Sequence, residues 1–117
     1  MGILEDHRLP FPIKRIFWID QVPDNTWRGN HAHKSSEQLL VCMKGVIKVE
    51  LENIEGSYFH YQLDQASEAL YLPAKCWGKY LFTSNALALC FASDRFDESD
   101  YIRSYPEFEK LKYGNHK

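Results

Sequence analysis

The segment QLLVCMKGVIKVEL, residues 38–51, contains two apolar runs separated by Lys44 and Gly45. Apolar and β-branched residues alternate along both runs, a pattern typical of β-strands. Glycine adopts a positive φ without steric cost, and a tight turn between strands requires that conformation. The segment therefore predicts an antiparallel hairpin that turns at Gly45.

Similar runs, rich in β-branched and aromatic residues, recur on both sides of this segment with turn residues between them. We predict strands at residues 14–20, 26–33, 38–43, 46–52, 57–63, 69–72, 79–82 and 87–92. The chain changes character after Asp97, and Pro106 favours the first turn of a short helix over 106–112 that Gly114 would close. The pattern predicts an all-β sandwich or barrel with a short C-terminal helix.

Length and composition indicate one folded domain. The 117 residues are 44% hydrophobic and 15% aromatic, which is enough apolar surface for one core. We expect a single domain over residues 1–117, in which 1–8 form a short mobile segment and 97–117 form the C-terminal turn and helix.

The charge pattern argues against nucleic-acid and membrane partners. Net charge is −2, and the only concentration of basic residues, Lys14-Arg15, is expected to be solvated. No stretch approaches the roughly 20 apolar residues of a membrane span, and the first residues lack the pattern of a signal peptide. We expect a cytoplasmic protein. Its three cysteines, Cys42, Cys76 and Cys90, lack CxxC spacing and are predicted to be reduced, buried and inert.

The stretch RGNHAHK, residues 28–34, concentrates side chains that take part in catalysis or binding: one arginine, two histidines and one lysine. Residues two apart on a strand point to the same face, so His31 and His33 should project together while Ala32 points away. One interpretation is a hydrogen-bonded core histidine beside an exposed one. A second is a metal site, because two imidazoles at this spacing can reach one divalent ion. A third is proton transfer, because histidine both accepts and donates protons near neutral pH.

Three segments together resemble the sugar-nucleotide 3,4-ketoisomerases of the cupin superfamily, which act on dTDP-4-keto-6-deoxyglucose. They are LPFPIKRIFWIDQVP (9–23), RGNHAHKSSEQLLVCMKG (28–45) and CFASDRFDESDYIRSYPEF (90–108). The resemblance implies a cupin jelly roll, or double-stranded β-helix, that is a homodimer and uses neither a metal nor another cofactor. It also implies a role in deoxysugar biosynthesis, for bacterial surface polysaccharide or a glycosylated product.

The resemblance further implies how the residues act on a dTDP-linked 4-keto-6-deoxyhexose. His31 would move the proton between C3 and C4 through an enediol, and His33 would orient it or serve the sugar oxygens. Arg28 and Lys34 would neutralise the developing oxyanion or the diphosphate. The alternative is that they are ordinary surface cations, an interpretation equally favoured for Lys34 and less favoured for Arg28. Gln38 and Tyr80 are assigned to substrate binding.

Two departures from related proteins leave alternatives open. Metal-dependent cupins add a carboxylate and a third histidine. In this chain Glu37 lies near the carboxylate position, but counting back from Gly45 places Gln38 in it, and Gly78 stands where the histidine is expected. A metal-dependent enzyme is therefore the less favoured alternative. The ketoisomerases commonly carry a tyrosine where this chain has Phe17-Trp18, which motivates a noncatalytic protein that binds a sugar nucleotide or carbohydrate. Tyr80 is a candidate to supply the missing phenol.

The polar residues near the end of the chain favour an architectural role over a chemical one. Asp94, Asp97 and Asp100 precede Tyr101-Ile102 and the short predicted helix, with Arg103 beside them. Acidic side chains in such positions cap turns and pair with a nearby arginine. We expect this cluster to hold the C-terminal segment in place.

Overall fold

The computed structural model describes residues 2–112, and within that range almost all regular structure is β. One α-helix, α1 (Tyr105–Glu109), and two 3₁₀-helices, Asp6–Arg8 and Glu98–Asp100, complete it. The strands are β1 (Arg15–Ile19), β2 (Thr26–His33), β3 (Gln38–Lys44), β4 (Ile47–Glu52), β5 (Tyr58–Leu63), β6 (Ala69–Leu72), β7 (Trp77–Phe82), β8 (Leu87–Ala92) and β9 (Tyr101–Ile102).

The strands form two antiparallel sheets with the orders β1-β8-β3-β6 and β5-β4-β7-β2-β9. Side chains from both sheets meet in one core that includes Leu40, Ile47, Val49 and Phe82. Burial of these apolar side chains between the layers is what stabilises a two-sheet sandwich. The predicted all-β jelly roll with a short C-terminal helix is confirmed.

The predicted hairpin at Gly45 is wrong, because β3 and β4 lie in different sheets. β3 pairs with β6 and β8, whereas β4 pairs with β5 and β7. Gly45 does have a positive φ of 76°, but there the chain crosses from one sheet to the other. A Cβ at Gly45 would lie 2.7 Å from Cα of Ala86, and Thr83 hydrogen-bonds to Val46 through both its backbone and its side chain. The crossing is therefore packed against the turn before β8.

The remaining strand predictions agree with the structure to within two residues, and β9 was not predicted. The helix begins one residue earlier than expected and ends at Glu109, while the proposed closing residue Gly114 lies outside the described residues. The side chain of Phe108 is fully buried against Ala32 and Ile102, so α1 covers the outer face of β2. No helix in residues 2–112 has the length and apolarity needed to cross a membrane.

The three cysteines are free thiols. Cys42 and Cys90 are buried, and Cys76 is partly buried. Burial raises the pKa of Cys76 to about 11 and that of Cys90 to about 12, which keeps both thiols protonated at neutral pH. The structure thus agrees with the expectation of unreactive thiols.

Candidate active site

The two histidines of β2 share one face, as their spacing predicts. Their ring centroids are 5.1 Å apart and their planes are perpendicular. Ala32, between them, points to the opposite face and is fully buried. A bulge between Gly29 and His31 shifts the register against β7, and Asn30 takes a positive φ of 59° there. The bulge brings His31 opposite Gly78.

Asp100 and Gln38 hold the ring of His33 from its two sides. The Asp100 carboxylate lies 2.9 Å from Nδ1, and the Gln38 side-chain amide lies 3.4 Å from Nε2. Asp100 is partly buried, yet its hydrogen bonds from the Ser35 backbone and His33 keep its pKa below the ordinary value. An ionised carboxylate only accepts hydrogen bonds, so Nδ1 carries the proton and Nε2 accepts from Gln38. His33 is therefore fixed in one tautomer and orientation.

His31 has a different environment, which keeps its ring neutral. Burial, followed by the neighbouring His33, lowers the pKa of His31 to about 4, although the Gly29 backbone opposes the shift. Its Nδ1 atom is buried without a well-formed hydrogen bond, and its ring lies 5.1 Å from that of Tyr101. The ring is consequently neutral at physiological pH, which is the form that accepts a proton.

A cleft of about 290 Å³ opens between the sheets in front of His31. It is lined by polar residues on one side and core residues on the other: Phe17, Ile19, Arg28, Gly29, His31, Gln38, Leu40, Leu72, Tyr80, Phe82, Cys90, Tyr101 and Arg103. Larger hollows of about 520 Å³ and 640 Å³ lie against the 9–14 segment, and one of about 370 Å³ lies beside His60 and Trp77. None of these three is lined by His31 or His33. An apolar cleft with a few convergent polar groups is the usual form of a small-molecule site.

The structure brings most of the predicted site residues together. Arg28, His31, Gln38 and Tyr80 line the cleft, and His33 lies directly behind His31. Lys34 does not: its side chain is exposed and absent from the lining, while its backbone N–H donates to the carbonyl of Asp100. The assignment of Lys34 to substrate binding is not supported by this position, because the strand ends at His33 and the chain turns outward.

Two residues that sequence reasoning assigned to architecture belong to this site. Asp100 holds His33, and Arg103 lines the cleft with its guanidinium 4.3 Å above the Tyr101 ring. Arg103 also makes a bidentate pair with Glu98. Only the family motif DESDYIR could have pointed to them, since they lie about 70 residues after the histidines. The architectural interpretation holds for Asp97, whose carboxylate accepts from the backbone of Ser99.

Arg15 was expected to be solvated, and this expectation is wrong. Arg15 is half-buried, with its guanidinium 5.0 Å above the ring of Phe17 and 5.6 Å above that of Phe96. Its Nε atom is buried without a hydrogen-bond partner. Because Phe17 and Ile19 face the core, the alternation of β1 turns Arg15 inward as well.

Within residues 2–112, no group of three or more His, Cys, Asp or Glu side chains is arranged to hold a metal ion. Of the ring nitrogens of His33, Nδ1 is occupied by Asp100 and Nε2 faces Gln38. The arrangement therefore presents one free imidazole, His31, to the cleft. Chemically, it can take a proton from a bound carbon acid and stabilise an oxyanion with Arg28 or Arg103.

The family model FdtA, described as WxcM-like, C-terminal, matches residues 2–113. The chain is 38% identical over 112 residues to a TDP-4-oxo-6-deoxy-α-D-glucose-3,4-oxoisomerase from Aneurinibacillus thermoaerophilus, covering 94% of this chain and 79% of the relative.

Similar solved structures are also 3,4-ketoisomerases. A 3,4-ketoisomerase from Helicobacter canadensis is similar with a TM-score of 0.87 and 34% identity, covering 93% of this chain and 83% of that one. A variant of the 3,4-ketoisomerase QdtA from Thermoanaerobacterium thermosaccharolyticum, in complex with TDP-4-keto-6-deoxyglucose, is similar with a TM-score of 0.84 and 32% identity. The match covers 91% of this chain and 79% of that one.

Proposed function

The chain belongs to the FdtA family of WxcM-like C-terminal domains, and from this premise we propose that it is a sugar-nucleotide 3,4-ketoisomerase. Its substrate is a TDP-linked 4-keto-6-deoxyhexose, the class bound by the QdtA variant. The observation that carries the proposal is His31, a neutral imidazole facing a cleft in a chain that matches these isomerases over most of its length.

The reaction moves a carbonyl group from C4 to C3 of the sugar. The ketone acidifies the C3 proton, and His31 removes it to give an enediol or enediolate. His31 then returns the proton to C4, so one base serves both half-steps. His33, fixed by Asp100, supports the perpendicular His31 ring and keeps it aligned. Arg28 and Arg103 bring positive charge to the cleft, where negative charge develops or the diphosphate binds.

Incubation with TDP-4-keto-6-deoxyglucose in D₂O, followed by NMR of the sugar protons, tests this function. We expect conversion to a 3-keto sugar with deuterium entering at C4. Exchange at C3 without a 3-keto product would show that the site removes the C3 proton but does not complete the isomerisation. Tight TDP binding with neither change would overturn the proposal in favour of a noncatalytic sugar-nucleotide-binding protein.

The pH dependence of kcat/KM reports the proton-accepting group in the free enzyme. Because the pKa of His31 is lowered, the base stays neutral as the pH falls through the ordinary histidine range, and protonation removes activity only near pH 4. We therefore expect kcat/KM to be level from about pH 8 to about pH 5.5 and to fall below that. A midpoint near 6.5, that of an unperturbed histidine, would contradict this assignment.

We also propose a homodimer that associates through the outer face of the β1-β8-β3-β6 sheet. The central rows of this face are apolar, and the register places Ile16, Phe91, Leu39 and Tyr71 in one row and Trp18, Leu89, Val41 and Ala69 in the next. Trp18 is 65% exposed and Ile16 is 53% exposed. A sheet face in contact with water is normally polar, so these rows favour a partner with the same apolar face. The cytoplasm, where thiols stay reduced, is the compartment that this proposal assigns.

A further inference from the structure

The ring of Tyr80 occupies space that two glycines leave free. A Cβ at Gly29 would lie 2.8 Å from two ring carbons of Tyr80, and a Cβ at Gly78 would lie 2.5 Å from its hydroxyl oxygen. Both distances are shorter than any real Cβ contact, so neither position accepts a side chain while Tyr80 stays where it is. Gly29, Gly78 and Tyr80 therefore form one slot, which we call the phenol slot.

The phenol slot brings the Tyr80 hydroxyl close to His31. Gly78 is the cross-strand partner of His31, and side chains of directly opposed residues lie on the same face about 5 Å apart. The hydroxyl stands where the side chain of residue 78 would be, directly across from the imidazole. Tyr80 and His31 also line the same cleft.

Tyr80 is partly exposed, and no residue from 2 to 112 hydrogen-bonds to its hydroxyl. Tyr71 and Tyr105, by contrast, donate to the carboxylates of Glu37 and Glu52. The Tyr80 hydroxyl is not one of the buried polar atoms without a partner in residues 2–112, and the residue lines the cleft, so a ligand in the cleft can reach the hydroxyl. The open partner position faces the cleft.

On the basis of the proposed function, we propose that the Tyr80 hydroxyl is the catalytic group that carries the proton between the two sugar oxygens. As His31 takes the C3 proton, the Tyr80 O–H gives its proton to the C4 carbonyl oxygen, and the enediol forms. The C3 hydroxyl then returns a proton to the Tyr80 oxygen while His31 protonates C4. One proton has moved from C3 to C4 and one from the C3 oxygen to the C4 oxygen, and both side chains regain their starting forms.

The environment of Tyr80 suits a donor that is neutral at rest. Burial, with a smaller contribution from Cys90 and Cys76, raises the pKa of the phenol far above its ordinary value. The phenol therefore enters the reaction carrying its proton, as the first step requires. Phe17, on the facing strand, also lines the cleft but has no hydroxyl to compete for this role.

Tyr80→Phe tests the inference, because it removes only the oxygen and breaks no hydrogen bond within the protein. In D₂O, we expect 3-keto product formation to fall on the order of 100-fold, while deuterium exchange at C3 falls much less. The ratio of exchange to isomerisation should therefore rise at least tenfold. Tyr61→Phe, the same change at an exposed residue of β5, is the matched control and should keep the wild-type ratio.

Gly78→Ala provides a second variant that retains Tyr80 but places a methyl group against its hydroxyl. It should raise the same ratio, because the phenol is displaced from the substrate. Circular dichroism and TDP binding verify the fold of both variants.

The outcomes separate this inference from the function on which it rests. Wild-type protein that neither exchanges nor isomerises would overturn both. Active wild type with Tyr80→Phe turnover within threefold would overturn the role of Tyr80 alone. Equal loss of exchange and isomerisation would also overturn it, since that is the result of disturbing His31 rather than of losing a proton carrier between oxygens.

Discussion

Replacing His31 by Asn is expected to lower turnover of TDP-4-keto-6-deoxyglucose by about 10²–10⁴-fold, the usual contribution of a positioned proton-transfer group. Asparagine is polar and resembles histidine in the part of the side chain closest to Cβ. Its amide is not a base, so it cannot accept the proton from C3. Both the removal at C3 and the delivery at C4 depend on this ring, so exchange and isomerisation should fall together. NMR in D₂O measures both in one experiment.

Little stability should be lost in the His31→Asn protein. Nδ1 of His31 has no well-formed hydrogen bond to lose, and the ring is partly exposed at the cleft. Thermal unfolding followed by circular dichroism, together with TDP binding, would verify this. His60→Asn is a suitable control, because His60 is exposed on β5 and does not line the cleft. A His31→Asn enzyme within tenfold of wild-type turnover would remove His31 from the chemistry.

The contrast between β2 and β3 shows how far local sequence pattern predicts this fold. The residue type and spacing of His31 and His33 were sufficient to place both rings on one face, because alternation is a property of a single strand. Pairing is a property of two strands. The runs on either side of Gly45 resemble a hairpin, but β3 is buried on both faces, and its partners are β6 and β8. Local alternation does not distinguish a hairpin from a crossing between sheets.

The parts of the site that were missed depend on contacts distant in sequence. Asp100 bonds to a histidine 67 residues earlier, and no local pattern distinguishes it from Asp97, which only caps a turn. Tyr80 differs from Asp100, because its residue type alone suggested a role as a substitute phenol. The structure was needed to show that its hydroxyl lies in the space that Gly78 leaves free. Sequence indicated the chemistry of these groups, and the pairing of β2 with β7 and β9 determined which of them meet.

Trp18→Glu is expected to convert the proposed dimer to a monomer. Trp18 lies on the outer face of β1, opposite Leu89, and its large exposed ring is typical of the residues that contribute most at protein interfaces. A carboxylate at this position remains hydrated in a monomer, whereas in the dimer it would be buried without a partner, at a cost of several kcal/mol. Sedimentation velocity at micromolar concentration measures the change in mass.

The matched control is Trp27→Glu, the same substitution at a 42% exposed residue of the other sheet. Trp27 contacts Lys79 at 4.9 Å, so its replacement by a carboxylate keeps an attractive neighbour and should leave the dimer intact. A wild-type monomer, or a Trp18→Glu dimer, would contradict the assignment of this face. The cleft lies on the inner side of the same sheet, where Phe17 and Cys90 line it. Separated monomers that retain TDP binding would therefore show that the site is complete within one chain.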